Sequence, residues 1–141
     1  MKRGISILFF TIIFCLASKA QSLVGSWKTI INHDEIGFSF DTLGYASMRS
    51  DGETIGGEMF LMDGKKYYMK YNTNLSTKPY QLDLILFDYQ TKKELRRMLA
   101  IFNFTDDSKL QICLSTEGIS RPKDFKNKED CFKLTKVIKQ K

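Results

Sequence analysis

The stretch Gly56-Gly57-Glu58-Met59-Phe60-Leu61-Met62-Asp63-Gly64-Lys65-Lys66-Tyr67-Tyr68-Met69-Lys70-Tyr71 decides the fold class. Asp63-Gly64 between two apolar runs is a hairpin signal, because both residues tolerate the positive φ of a tight turn. After it, Tyr67, Met69 and Tyr71 alternate with Lys66, Tyr68 and Lys70. A period of two is that of a half-buried strand.

The same pattern extends in both directions. Residues 25–32 put Trp27, Thr29 and Ile31 on one face, and 35–41 alternate Ile36, Phe38 and Phe40 with Gly37 and Ser39. Residues 45–50 follow a turn at Leu43-Gly44 and precede one at Asp51-Gly52. Downstream, Pro79 opens 80–87, where Tyr80, Leu82, Leu84 and Leu86 read as inward and Gln81, Asp83, Ile85 and Phe87 as outward. Strands also read at 109–115 and 131–138. Residues 91–100 admit two readings. Thr91-Lys92-Lys93-Glu94 fits a capping box and a short helix, whereas Leu99-Ala100-Ile101-Phe102-Asn103-Phe104 is β-rich and favours a strand over 95–104.

Eight or nine strands at this spacing predict an all-β fold, an antiparallel up-and-down β-barrel. Hairpin-length links favour pairing between sequence neighbours. Alternation assigns Phe38, Phe40, Tyr67, Met69, Tyr71, Leu82, Leu84, Leu86 and Ile101 to the barrel lining, with Leu110, Ile112, Phe132 and Leu134. The connection 116–130 is the longest in the barrel, a length often functional.

The chain has 141 residues. Residues 1–20 read as a signal peptide: Met1-Lys2-Arg3, an apolar stretch over 4–17, then Ser18-Lys19-Ala20. That stretch is short for a spanning helix, which needs about 20 residues. Phe14 before Cys15 argues against lipidation, and the polar exit argues against an uncleaved anchor. Residues 21–141 then form one barrel domain, exported to the periplasm or secreted, and not membrane-spanning after cleavage. Losing Lys2, Arg3 and Lys19 lowers the net charge from +6 to +3. That excludes a strongly basic nucleic-acid binder.

Cleavage also removes Cys15 and leaves Cys113 and Cys131, each on the polar face of its strand. If those strands are antiparallel neighbours, a bridge is geometrically accessible. Export favours the bridge over two free thiols. No metal site or cofactor is expected: His33 is the one histidine, and no cysteine pair has zinc spacing. His33-Asp34 reads as a turn between the first two strands, and no Gly-x-Ser-x-Gly elbow accompanies it. No catalytic set is expected. Asp83 reads either as a carboxylate that orients a ligand or, more simply, as an outer-face partner for a basic side chain.

Leu23-Val24-Gly25-Ser26-Trp27 resembles the Gly-x-Trp signature on the first strand of lipocalins and lipocalin-like barrels. Leu82-Asp83-Leu84, Ala100-Ile101-Phe102, Leu110-Gln111-Ile112-Cys113 and Arg121-Pro122-Lys123-Asp124-Phe125 resemble, in order and spacing, motifs of a bacterial lipocalin-like family. Ala100 and Phe102 stand where that family carries glycine and tyrosine. The resemblance implies a lipocalin-type barrel and no particular biochemical activity. It gives Gly25 and Trp27 a structural role, with Trp27 packed across the closed end. It also marks Arg121, Pro122 and Phe125, for which two readings stand. They form a recognition loop at the mouth, or a fixed loop in which Phe125 plugs the barrel and Arg121 bonds loop carbonyls.

The leading functional expectation is binding of a small apolar or amphipathic ligand inside the barrel. The alternative is an envelope protein-interaction module, of inhibitor or immunity type, that uses loops on a filled scaffold.

Overall fold

A computed structural model describes residues 21–139 except Thr116 and Lys128, so the signal-peptide reading lies outside the described residues. The described chain is all β, with no helix. Its ten strands are β1 (Gly25–Ile31), β2 (Asp34–Phe40), β3 (Ala46–Ser50), β4 (Glu53–Gly56), β5 (Phe60–Met62), β6 (Lys65–Asn74), β7 (Tyr80–Asp88), β8 (Glu94–Asp106), β9 (Lys109–Leu114) and β10 (Cys131–Lys136). Three links are two-residue turns with both φ angles positive: Asn32-His33, Asp51-Gly52 and Asp63-Gly64. That geometry matches the right-handed twist of the flanking strands, and it places His33 in a turn.

All ten strands form one antiparallel sheet in the order β4-β3-β2-β1-β10-β9-β8-β7-β6-β5. The two terminal strands are neighbours, with Trp27 opposite Lys136. The sheet thus curls into a nearly closed up-and-down barrel whose seam falls mid-chain. Gly56-Gly57 explains the strand count, which slightly exceeds eight or nine. Both glycines hold positive φ, 106° and 82°, and so separate the four-residue β4, absent from the sequence reading, from β5. Gly57 also ties the seam: its N–H donates to Ala46 O at 2.7 Å and its carbonyl accepts from Met69 N at 3.0 Å. A side chain at Gly56 would collide with the Ala46 carbonyl. Tyr71 N donates to Gly44 O, and Tyr45 bridges to Lys70, continuing the closure.

Of the two readings of 91–100, the favoured strand holds from Glu94 onward, and residues 91–93 are a turn and its exit. Asp88 Oδ1 accepts from the amides of Gln90 and Thr91, building a turn where the capping box would have started a helix. Glu94 opens β8, which pairs with both β7 and β9. Two ladders outweigh a local helix signal that only a few residues support.

Inward side chains fill the middle of the barrel. Phe38, Phe40, Met69, Leu82, Leu84, Leu110, Ile112 and Leu134 join Leu23, Trp27, Ala46, Ala100, Phe102 and Leu114 in one buried cluster. Tyr71 and Phe132 pack against it, half-buried. Ile101 does not line the interior. It stands opposite Gln81 and Cys113 on the outer face, while Ala100 and Phe102 point inward. Residues 99–102 are apolar on both faces, so alternation carried no sign there. Tyr67 and Leu86 are half-buried and lie outside the cluster, Tyr67 against Phe60 with ring centroids 5.8 Å apart.

Candidate functional site

The barrel has two unlike ends. At one end β1 begins, and the chain before it crosses the opening. Leu23 is buried there, and Trp27 Nε1 donates to Leu23 O at 2.8 Å. The indole is 1% exposed, lies 6.1 Å from the Phe104 ring and has Lys136 Nζ 5.3 Å above it. A buried indole with its N–H satisfied seals an opening at little polar cost. Nearby, the Tyr71 hydroxyl donates to Asp41 O. Burial, then the Asp41 charge, push that phenol above its ordinary pKa. A hollow of about 330 Å³ remains between residues 21–24 and Tyr71, Leu75, Phe102 and Phe104.

At the other end the β1–β2, β3–β4, β5–β6 and β7–β8 turns meet, and a cavity of about 340 Å³ opens between β2–β4 and β9–β10. Ile36, Phe38, Met48, Ile55, Leu114 and Phe132 line it, and Arg49, Asp51 and Glu53 stand on its lip. Phe38 and Phe132 form its floor, with rings 5.9 Å apart. Volume and lining fall within the usual range for small-molecule sites, about 300–1,000 Å³ with mainly apolar walls.

Of the thirteen expected lining residues, Phe38 and Phe132 reach this cavity; Phe40, Met69, Tyr71, Leu82 and Leu84 pack the middle or the closed end. Ile36, Met48, Ile55 and Leu114 were not among the expected lining. The period-two pattern could have found Ile36, two residues before Phe38, and Met48, which stands opposite Phe38 in the β2–β3 ladder. Ile55 lies in a strand of four residues, too short for alternation to register.

The connection between β9 and β10 lies against the outer wall. Cys113 and Cys131 face each other across the two strands and form a disulfide, with Cα atoms 4.0 Å apart. Arg121 Nη1 donates to Leu82 O at 3.0 Å and to Ala100 O at 2.7 Å, and its Nη2 donates to Asp83 Oδ1 at 2.6 Å. Asp83 Oδ2 accepts from Arg97 Nη1 at 2.9 Å, and Arg97 also grips both carboxylate oxygens of Glu94. The hydrogen bonds from Arg97 hold the Glu94 carboxyl below its ordinary pKa, and those to Glu94 and Asp83 raise that of Arg97. Asp83 is therefore a structural partner for two arginines. Arg121 bonds strand carbonyls rather than loop carbonyls. Phe125 does not plug the barrel: it is half-buried, outside the interior cluster, and Pro122 is half-buried in the same connection.

Among the described residues no three His, Cys, Asp or Glu side chains are grouped to hold a metal ion, and no helix is long and apolar enough to cross a membrane. Comparison with protein-family models, curated proteins and solved structures finds no match to this chain.

Proposed function

We propose that this protein is an exported, non-enzymatic lipocalin-like barrel that takes a small apolar or amphipathic molecule into its open end. The observation that carries the reading is the cavity of about 340 Å³ between Ile36, Phe38, Met48, Ile55, Leu114 and Phe132. An apolar tail would enter between these side chains, and a polar head would remain at the lip beside Arg49, Asp51 and Glu53. The Cys113–Cys131 disulfide is compatible with an oxidising compartment, the periplasm or the outside of the cell. The Gly-x-Trp resemblance agrees with the sealed opposite end at Trp27.

The test is titration with the fluorescent probe anilinonaphthalene sulfonate and its displacement by alkyl chains of graded length, in the protein and in Met48→Trp. The protein should bind the probe with saturation, and the variant, with its cavity filled, should not. Equal fluorescence in both, or none in the folded protein, rejects the reading.

A second reading, an envelope protein-interaction module, draws on the tightly packed middle of the barrel. It expects crosslinking in the envelope to capture one stoichiometric protein partner, and capture to persist in Met48→Trp.

A further inference from the structure

The outer wall over β5, β6 and β7 gathers tyrosines and lysines in cross-strand rows. Leu61 stands opposite Lys66. Tyr89 N donates to Lys66 O at 3.1 Å, which sets Tyr89 on the other side of that lysine. In the next outward row Tyr68 stands opposite Phe87, and in the third Tyr45 bridges to Lys70. Met69 lies between Tyr68 and Lys70 and joins the interior cluster, so alternation turns both of its neighbours outward. Lys92, in the β7–β8 turn, reaches back over the same rings.

Tyr68 and Phe87 stack with centroids 4.9 Å apart and planes inclined by 6°. Tyr45 and Tyr89 each meet Tyr68 edge-on, with centroids 6.3 Å away. Lys92 Nζ lies over the Tyr89 ring at 4.0 Å and the Tyr68 ring at 5.2 Å, and Lys70 Nζ lies over Tyr45 at 5.4 Å. A cross-strand aromatic pair stabilises a sheet, which accounts for Tyr68 on Phe87. It does not account for two further tyrosines or for the lysines held over them.

Charge defines the partner. Among the described residues Lys66, Lys70 and Lys92 form no ion pair. The nearby outward carboxylates, Asp83 and Glu94, are both taken by Arg97, and Asp83 by Arg121 as well. Residues 58–70 and 87–93 carry five lysines against three carboxylates, Glu58, Asp63 and Asp88. Asp88 and, beside Tyr45, Asp41 spend their oxygens on turn amides. The face is cationic and favours an anionic partner.

Shape and exposure narrow that partner. Stacking a base or a sugar needs an open ring face, but Phe87 is stacked on Tyr68 and Lys92 lies over both Tyr68 and Tyr89. Tyr71 donates its hydroxyl to a backbone carbonyl. The hydroxyls of Tyr45, Tyr68 and Tyr89 have no such partner among the described residues, and none of them is buried. Beside them β5 ends the sheet and leaves Leu61 63% and Met62 41% exposed. An apolar edge flanked by tyrosines and lysines suits the boundary of a bilayer. There Leu61 would enter the acyl region, while hydroxyls and ammonium groups stay among the phosphates. A second copy of the chain, docked about a two-fold axis, would set lysines against lysines.

We propose that the outer wall over β5, β6 and β7 is a docking surface for an anionic phospholipid bilayer. Leu61, Lys66, Tyr68, Lys70, Tyr89 and Lys92 do not line the mouth cavity, so the proposal does not depend on what the barrel holds.

The experiment is cosedimentation with vesicles of phosphatidylcholine alone and of phosphatidylcholine with an equal share of phosphatidylglycerol. Protein expressed from the full chain is used, with its N-terminus fixed by mass measurement. One variant combines Lys66→Gln, Lys70→Gln and Lys92→Gln. In another, Leu61→Trp places a fluorescent reporter at the apolar edge, while the native Trp27 is buried at the closed end. The protein should bind the anionic vesicles, leave the neutral ones and be released by salt. Each lysine near an anionic surface contributes about fivefold, so the triple variant should bind about a hundredfold more weakly at an unchanged melting temperature. Emission of Leu61→Trp should shift to the blue on the anionic vesicles and be quenched by brominated lipid. Absence of binding to anionic vesicles at low salt overturns the proposal. So does equal binding by the triple variant, or a reporter at position 61 that stays unquenched while the protein is bound. Crosslinking of Lys66 or Lys92 to an acidic protein, with no vesicle binding, overturns it in favour of a protein interface.

Discussion

The Arg121 guanidinium reaches from the β9–β10 connection to Asp83 on β7 and closes to 2.6 Å from its Oδ1, while its other nitrogen caps the carbonyls of Leu82 and Ala100. One side chain thereby fastens a long connection to two strands. The ion pair is partly shielded, with the Arg121 and Asp83 side chains 22% and 15% exposed. Arg121→Ala leaves two carbonyls and a carboxylate short of a donor. The expected loss is about 2–4 kcal/mol, discounted from the range for a fully buried pair because some solvent reaches this one. Urea denaturation should show the loss, and amide exchange should quicken across 117–127. Unchanged exchange there would show that the connection is held by something else.

Opening the disulfide should act through the unfolded chain. Cys113 and Cys131 are 18 residues apart, and closing a loop of that size stabilises by about 3 kcal/mol in the chain-entropy picture. Cys113→Ser with Cys131→Ser should lower the urea midpoint accordingly. Free thiols found in the oxidised protein by alkylation and mass measurement would contradict the bridge.

Gly56→Ala should be among the most damaging single substitutions in the barrel. Its φ of 106° is strained for any side chain, and the new methyl would strike the Ala46 carbonyl. The expected cost exceeds about 2 kcal/mol, with loosening of the seam beside Gly57. Gly52→Ala, also at positive φ (76°) but in open space, should cost only about 1 kcal/mol. Thermal denaturation of the two variants side by side checks the order.

Acid should weaken the fold through three exposed carboxylates. Hydrogen bonds from Thr91 lower the pKa of Asp88, those from Arg97 lower that of Glu94, and those from Ser108 lower that of Asp106. A depressed folded-state pKa contributes stability above the unfolded value, near about 4, and that stability is lost as the pH falls through the folded value. The melting temperature should therefore drop as the pH falls below about 4. Asp88→Asn keeps an acceptor for the turn without the charge, so it should flatten part of that dependence. A pH profile identical to the parent's would remove Asp88 from the account.

Much of the barrel is legible in the sequence. Asp63-Gly64 and the alternating strand after it predicted the β5–β6 hairpin, and the alternation of 80–87 placed Leu82 and Leu84 inside. Both signals are local, set by turn conformation and by the two faces of a strand. Cys113 and Cys131 could be placed on the same face of their strands for the same reason. Alternation puts Ile101 on the wrong face, because residues 99–102 are apolar on both faces and the pattern there carries no sign; it is buried on the outer face, opposite Gln81 and Cys113. The capping box at Thr91 misread a turn that the carboxylate of Asp88 organises instead.

By itself, then, the sequence determined an all-β barrel, the tight turns that join it and the polar-face position of each cysteine, since each follows from interactions within one strand or one hairpin; that Cys113 and Cys131 meet was decided by the pairing of β9 with β10. Tertiary structure alone decided where the barrel is filled and where it is open. Phe40, Met69, Leu82 and Leu84 have the same inward alternation as Phe38, yet they meet partners across the middle of the barrel and leave no space. Ile36, Met48, Ile55, Leu114 and Phe132 gather at an end where the strands part. Register brings Ser26, Ser39 and Ser47 into one row across three strands, and register is a relation between strands that no single strand records.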